Sequence, residues 1–136
     1  MTSDTVLVVA GVLFEGDAVL LTQRKAGSHL AGHWELPGGK VEPREDPRAA
    51  LARELREEIG VEVVVGAPFE VTSHAYPEKH VLLLFFEVTL APSSPRPRAI
   101  DVADLRWARA PDLDQLAFPP ADVAVIERVR ARLTSS

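Results

Sequence analysis

Short apolar runs alternate with turn residues along this chain. Residues 5–14 are rich in Val and Leu and predict a buried strand. Glu15-Gly16-Asp17 is a turn signal and residues 18–23 predict a second strand, so the two should form a hairpin. A polar, glycine-containing loop over 24–32 leads to a short strand at 33–36, which Pro37-Gly38-Gly39 breaks. Residues 46–59 carry the clearest helix signal. Leu51, Leu55 and Ile59 recur every four residues as a buried stripe, Asp46 suits the N-cap, Pro47 the first helical position and Gly60 the stop. Strands are predicted at 61–65, 69–73 and 80–90. Three prolines and two serines make 91–98 an exposed loop. A last strand follows at 102–107, then a helix over 119–133 with Val125, Ile126, Val129 and Leu133 on its inner side. This order predicts a mixed sheet between helices, an α/β/α sandwich, in a single domain over residues 1–136.

Composition removes several function classes. A chain of 136 residues with 46% hydrophobic content can bury one core. Its formal net charge of -5 and lack of a basic patch argue against nucleic acid as a partner. An acidic protein that binds an anionic phosphate must bring in cations, either placed Arg and Lys or a metal ion. With no cysteine, disulfides and thiolate chemistry are excluded. Met1–Asp4 lacks the charged and apolar regions of a signal peptide, and runs such as 81–86 are too short to span a membrane. A cytoplasmic protein is expected, with monomer and homodimer both open.

The chemistry concentrates between Gly39 and Val61. There, glycine is followed after five residues by Glu45, after seven more by Arg53-Glu54-Leu55, then by Glu57-Glu58 and Gly60-Val61. On a helix, Glu54, Glu57 and Glu58 stand at i, i+3 and i+4, so they share one face, about a right angle from the leucine stripe. Three clustered carboxylates repel one another, and a divalent cation relieves that conflict. Hard oxygen donors select Mg²⁺ or Mn²⁺, and Mg²⁺ commonly takes one or two carboxylates plus substrate phosphates. Arg53 can pair with Glu57 one turn on. A solvated helix face with such pairs is the plainer reading of a Glu-rich helix. The glycines, Glu45 and the full spacing argue against it, since a chance match is on the order of 10⁻⁸.

This segment matches the Nudix box at every defined position, and the chain resembles a Nudix hydrolase. The likeness extends to the MutT-like nucleoside triphosphate pyrophosphohydrolases. Gln23-Arg24-Lys25, the run from Gly32-His33-Trp34-Glu35-Leu36 through Pro37-Gly38-Gly39-Lys40-Val41-Glu42, Tyr76-Pro77-Glu78-Lys79-His80 and Phe118-Pro119-Pro120-Ala121-Asp122 all resemble segments of that branch. The resemblance implies that Glu57, Glu58 and the Gly38 carbonyl hold the catalytic metal. It makes Glu54 a further ligand or the base, and gives Arg53 the task of orienting the glutamates. Asp101, six residues before Trp107, stands where relatives often carry a catalytic glutamate; it is either a shorter substitute or a plain loop acid. Arg24 and Lys40 are phosphate-contact candidates, and Phe118 and Asp122 candidates for the base.

Close MutT relatives carry Asn where Asp122 stands, and cytidine-preferring relatives carry Asp. An ionised Asp only accepts hydrogen bonds, while a protonated one also donates. The alternative is that Asp122 merely steadies the first turn of the last helix. The expected activity is Mg²⁺-dependent hydrolysis of a nucleoside triphosphate to monophosphate and pyrophosphate. 8-oxo-dGTP is the first substrate, with nucleotide-pool sanitation as the role. CTP or dCTP is the alternative, and ADP-ribose or another nucleoside diphosphate derivative a further one. A binding module of the same fold would be expected to lose box glutamates, and this chain keeps them all. Trp34 and Phe85 are core residues or stacking partners, and the four histidines lack zinc-ligand spacing.

Overall fold

The computed structural model describes residues 5–135; the expectation that Met1–Asp4 carries no signal-peptide pattern falls outside them. Strand β1 (Thr5–Glu15) turns at Gly16-Asp17 into β2 (Ala18–Gln23). Only two residue pairs join them, Phe14 with Val19 and Glu15 with Ala18. Beyond that the strands part. β1 runs parallel to β6 (Lys79–Leu90), from Thr5 opposite His80 to Leu13 opposite Val88. β2 pairs instead with β7 (Asp104–Arg109). β3 (Trp34–Glu35) bonds to β2 and β4 (Gly38–Lys40) to β1, so residues 34–40 bridge the opening between the diverging strands.

Period-two alternation on β1 sends its side chains to opposite faces. Val9 and Leu13 join Leu20, Phe86 and the Leu51, Leu55 and Ile59 stripe of helix α1 (Pro47–Ile59). Ala10 and Val12 join Leu21, Phe85 and Val125, Ile126 and Val129 of helix α2 (Val123–Thr134). One helix therefore covers each face, and the mixed sheet lies between them, as the alternation of elements predicts. Asp46 caps α1, accepting from the Ala49 amide at 3.0 Å, and Gly60 ends it in the left-handed conformation.

Three expectations are corrected. The strands predicted at 61–65 and 69–73 are one strand, β5 (Val63–Tyr76), which bends through register shifts on either side of Pro68. Proline has no N–H to give the ladder, and a bulge absorbs it without ending the strand. Pro37-Gly38-Gly39 is not a break, because Gly38 resumes extended pairing with Ala10. The final helix begins at Val123 and not at 119; Pro120–Asp122 form a 3-10 turn before it. A further 3-10 turn, Ala110–Gln115, has no apolar periodicity to reveal it. Among the described residues no helix is long and apolar enough to cross a membrane.

Candidate active site

A cleft of about 300 Å³ opens beside the point where β1 and β2 part. Its apolar lining comes from Val8, Ala10, Val81, Leu83 and Phe85 of the sheet. The bridging segment adds Glu35, Gly38, Gly39 and Lys40, the helix adds Glu58, and the turn before α2 adds Asp122. Residues far apart in sequence are thus gathered by the strand divergence.

Arg53 organises the acidic face of α1. Its Nε and Nη2 donate to the two carboxylate oxygens of Glu45 at 2.8 and 2.9 Å, a bidentate fork. Nη1 donates to Glu54 at 3.1 Å and Glu57 at 3.2 Å, and Nη2 also reaches the Lys40 carbonyl. Arg53 and the Glu42 amide together hold the Glu45 carboxyl down at about 2. Glu54 is pressed against Gly39, where a Cβ would collide with its carboxylate. Burial raises the Glu54 pKa, against the pull of Arg53.

Glu58 turns the other way, into the cleft. Burial, and then the like charges of Glu54, Glu35 and Asp101, push its pKa up to about 8, against the Gly38 amide. Among the described residues no three His, Asp or Glu side chains converge closely enough to hold an ion. Glu54 and Glu57 are tied to Arg53. The donor set nevertheless fits a hard divalent cation: carboxylates of one helix face, repelling one another, beside the half-buried Gly38-Gly39 backbone. A cation held by Glu58 would displace its proton. Apparent affinity for Mg²⁺ is therefore expected to climb as pH rises toward about 8 and to level off above it, with close to one proton released per ion below that pH. Calorimetry in buffers of different ionisation enthalpy checks this; a pH-independent affinity would contradict it.

The other predicted residues are distributed unevenly. Arg24 lines the cleft, but its Nη1 is engaged by Glu35 at 2.9 Å. Lys40 lines it and is exposed. Asp122 is only 5% exposed, stands at the N-cap position of α2 and makes no side-chain capping bond to it. Burial first, and then Glu35, raise its pKa to about 7, with Arg24 opposing. Phe118 packs half-buried against the α2-side core and Trp34 does likewise; neither is among the residues lining the cleft. Asp101 stands outside the lining, ion-paired with Lys25. Glu35, Tyr76 and Lys79 line the cleft although sequence reading gave them no role. Their only signal was the two motif-like runs in which they lie.

The model of the NUDIX domain matches residues 8–128. An 8-oxo-dGTP diphosphatase of Proteus vulgaris is 43% identical over 83 residues, 60% of this chain and 74% of the relative. A CTP pyrophosphohydrolase of Escherichia coli is 36% identical over 124 residues, 91% of this chain and 90% of the relative. The solution structure of the E. coli ORF135 protein superposes with a TM-score of 0.81 at 34% identity, covering 97% of this chain and 93% of that one.

Proposed function

The chain belongs to the Nudix family and is a MutT-like hydrolase, and from that premise we propose that it converts 8-oxo-dGTP to the monophosphate and pyrophosphate, in the cytoplasm, with Mg²⁺ as its cofactor and Mn²⁺ as a substitute. One observation carries this reading: a single cleft is lined both by Glu58 of the acidic helix and by the buried Asp122 carboxyl, so one nucleotide can meet both. Glu35 lies within electrostatic reach of each.

In this reading Glu57, Glu58 and the Gly38 carbonyl hold the cation, and Glu54 either joins them or takes the proton of the attacking water. When bound, the cation polarises the phosphoryl oxygens and offsets the charge that builds up on them. Arg53 keeps Glu54 and Glu57 in register with Glu45. Lys40 and Lys79 supply positive charge for the phosphates, and Arg24 does so once it exchanges Glu35 for substrate. Asp122 titrates close to neutrality, so it can accept hydrogen bonds from a base when ionised and donate one when protonated.

Asp122 also favours a second reading, hydrolysis of CTP or dCTP, since an ionised carboxylate accepts from the cytosine amine. Comparing kcat/KM for 8-oxo-dGTP, dGTP, CTP, dCTP and ADP-ribose tests both readings. The expected order puts 8-oxo-dGTP first. Asp122→Asn should shift the preference among bases by roughly tenfold or more, the scale of one mismatched polar contact, and should remove any change in preference between pH 6 and pH 8. Fastest cleavage of CTP would establish the second reading, and fastest cleavage of ADP-ribose would overturn both.

A further inference from the structure

The loop over residues 24–32 passes three times through positive φ, at Gly27 (84°), Leu30 (54°) and Gly32 (85°). Glycine adopts this conformation freely, whereas the Cβ of a leucine meets its own backbone there and leaves the residue strained. Neither glycine lines the cleft, and half-buried Leu30 does. The strained conformation is pinned from both sides. The His29 carbonyl accepts from the Arg24 Nε, and the Leu30 carbonyl accepts from the His33 amide at 3.1 Å. The ends of the loop are closed by the Arg24 amide on the His33 carbonyl at 2.9 Å and the Gly32 amide on the Arg24 carbonyl at 3.1 Å. A non-glycine residue persists in this region only where its surroundings over-determine it. Arg44 also has a positive φ, 65°, but it is exposed and outside the cleft lining. Among the described residues, strain and cleft therefore coincide at Leu30.

We propose that Leu30 is a substrate-binding residue, held in its strained conformation so that its side chain packs on the nucleoside part of the substrate. The proposal rests on the nucleotide-hydrolase reading above. Glycine would make the same turn without strain, as it does twice nearby. What leucine adds is an apolar side chain in the cleft. Such a side chain offers nothing to a phosphate, but it can cover the face of a base or sugar, and Val8, Val81 and Leu83 supply further apolar surface to the same cleft. The neighbouring residue ties the loop to the Asp122 end. The His29 ring meets Tyr76 edge-on, with centroids 5.5 Å apart and planes at 89°. Tyr76 lines the cleft, and its phenol pKa is raised by burial first and then by the Asp122 charge. Leu30 thus follows a residue packed on the ring that feels the carboxyl assigned to the base.

Three variants, Leu30→Ala, Leu30→Gly and Leu30→Met, test this through calorimetric binding of 8-oxo-dGMP and CMP, inhibition by inorganic pyrophosphate, and turnover of the matching triphosphates with Mg²⁺. Leu30→Ala is expected to weaken binding of the better monophosphate about tenfold, the scale of losing one apolar contact with a ligand. KM for its triphosphate should rise to a similar extent, and inhibition by pyrophosphate should not change. Leu30→Met restores the apolar area and should recover most of the loss. Leu30→Gly should bind as weakly as Leu30→Ala but melt about 3–5 °C above it, because glycine relieves the strain. Wild-type affinity in Leu30→Ala, or an equal loss for pyrophosphate, would overturn the nucleoside contact. Leu30→Gly melting below Leu30→Ala would overturn the strain. A wild type that binds neither monophosphate would contradict the proposal as well. A wild type that binds a monophosphate but cleaves no triphosphate would defeat the hydrolase reading alone, and the binding data would still decide the role of Leu30.

Discussion

Glu58→Gln is expected to lower turnover by roughly 10³-fold or more while leaving the chain folded. Gln keeps the shape of the side chain and removes its charge. In the proposed site that charge holds a cation whose value lies in neutralising charge at the phosphoryl group, and losing such preorganised stabilisation removes rate and not structure. Stability should move the other way. The Glu58 pKa in the folded chain is about 8, above its ordinary value of 4.5. Such a group costs nothing below pH 4.5, and without metal it destabilises progressively as pH rises toward 8. Metal-free Glu58→Gln should therefore melt at the wild-type temperature near pH 4 and above it at pH 8. Glu57→Gln should lose activity on a similar scale, but Glu57 is more than half exposed and linked only to Arg53, so no such stability gain is expected. Steady-state kinetics and thermal melts at the two pH values check both statements. Full turnover in both variants would refute the ligand assignment.

Gly38→Ala should lower the stability of the whole domain. Gly38 lies directly across from Ala10 in the β4–β1 pairing. A Cβ there would collide with the Val9 carbonyl and come within 2.6 Å of the Ala10 Cα. Both obstacles are main chain of the central strand, so relief requires β1 and β4 to separate. Overpacking of this kind costs roughly 2–3 kcal/mol, which for a domain of this size lowers the melting temperature by roughly 6–12 °C. Gly39→Ala makes the informative contrast. Its Cβ would collide with the Glu54 carboxylate, the end of a side chain that can swing aside. Gly39→Ala should therefore lose activity more than stability, and Gly38→Ala should lose both. Differential scanning calorimetry alongside turnover separates the two. Equal melting temperatures for Gly38→Ala and wild type would show that the β1–β4 contact is looser than described.

Helix α1 was legible because its signals agree: the leucine stripe, the Asp46 cap, Pro47 and Gly60 all mark the same element, and the glutamate spacing rides on it. The two strands expected within 61–73 misled because Gly66 and Pro68 punctuate most sequences, whereas here tertiary pairing with β6 carries the strand through them. Glu35 and Lys79 carry no periodic signal. They reach the cleft because β1 and β2 part after two residue pairs, which is a property of the sheet and not of any local segment. The burial of Asp122 was hidden for a similar reason. A polar residue beside two prolines resembles a cap, and only the packing of α2 against the sheet encloses it. Asp101 and Lys25 lie 76 residues apart, so their pairing depends on the backbone bonds that hold residues 98–101 against the end of α1.

Phosphorus-31 NMR of the products formed from 8-oxo-dGTP and Mg²⁺ tests the central claim most directly. The cleft and its acidic helix predict one nucleoside monophosphate and one pyrophosphate per turnover, with both signals lost in Glu58→Gln. Orthophosphate with a nucleoside diphosphate, or intact triphosphate after prolonged incubation, would contradict the account.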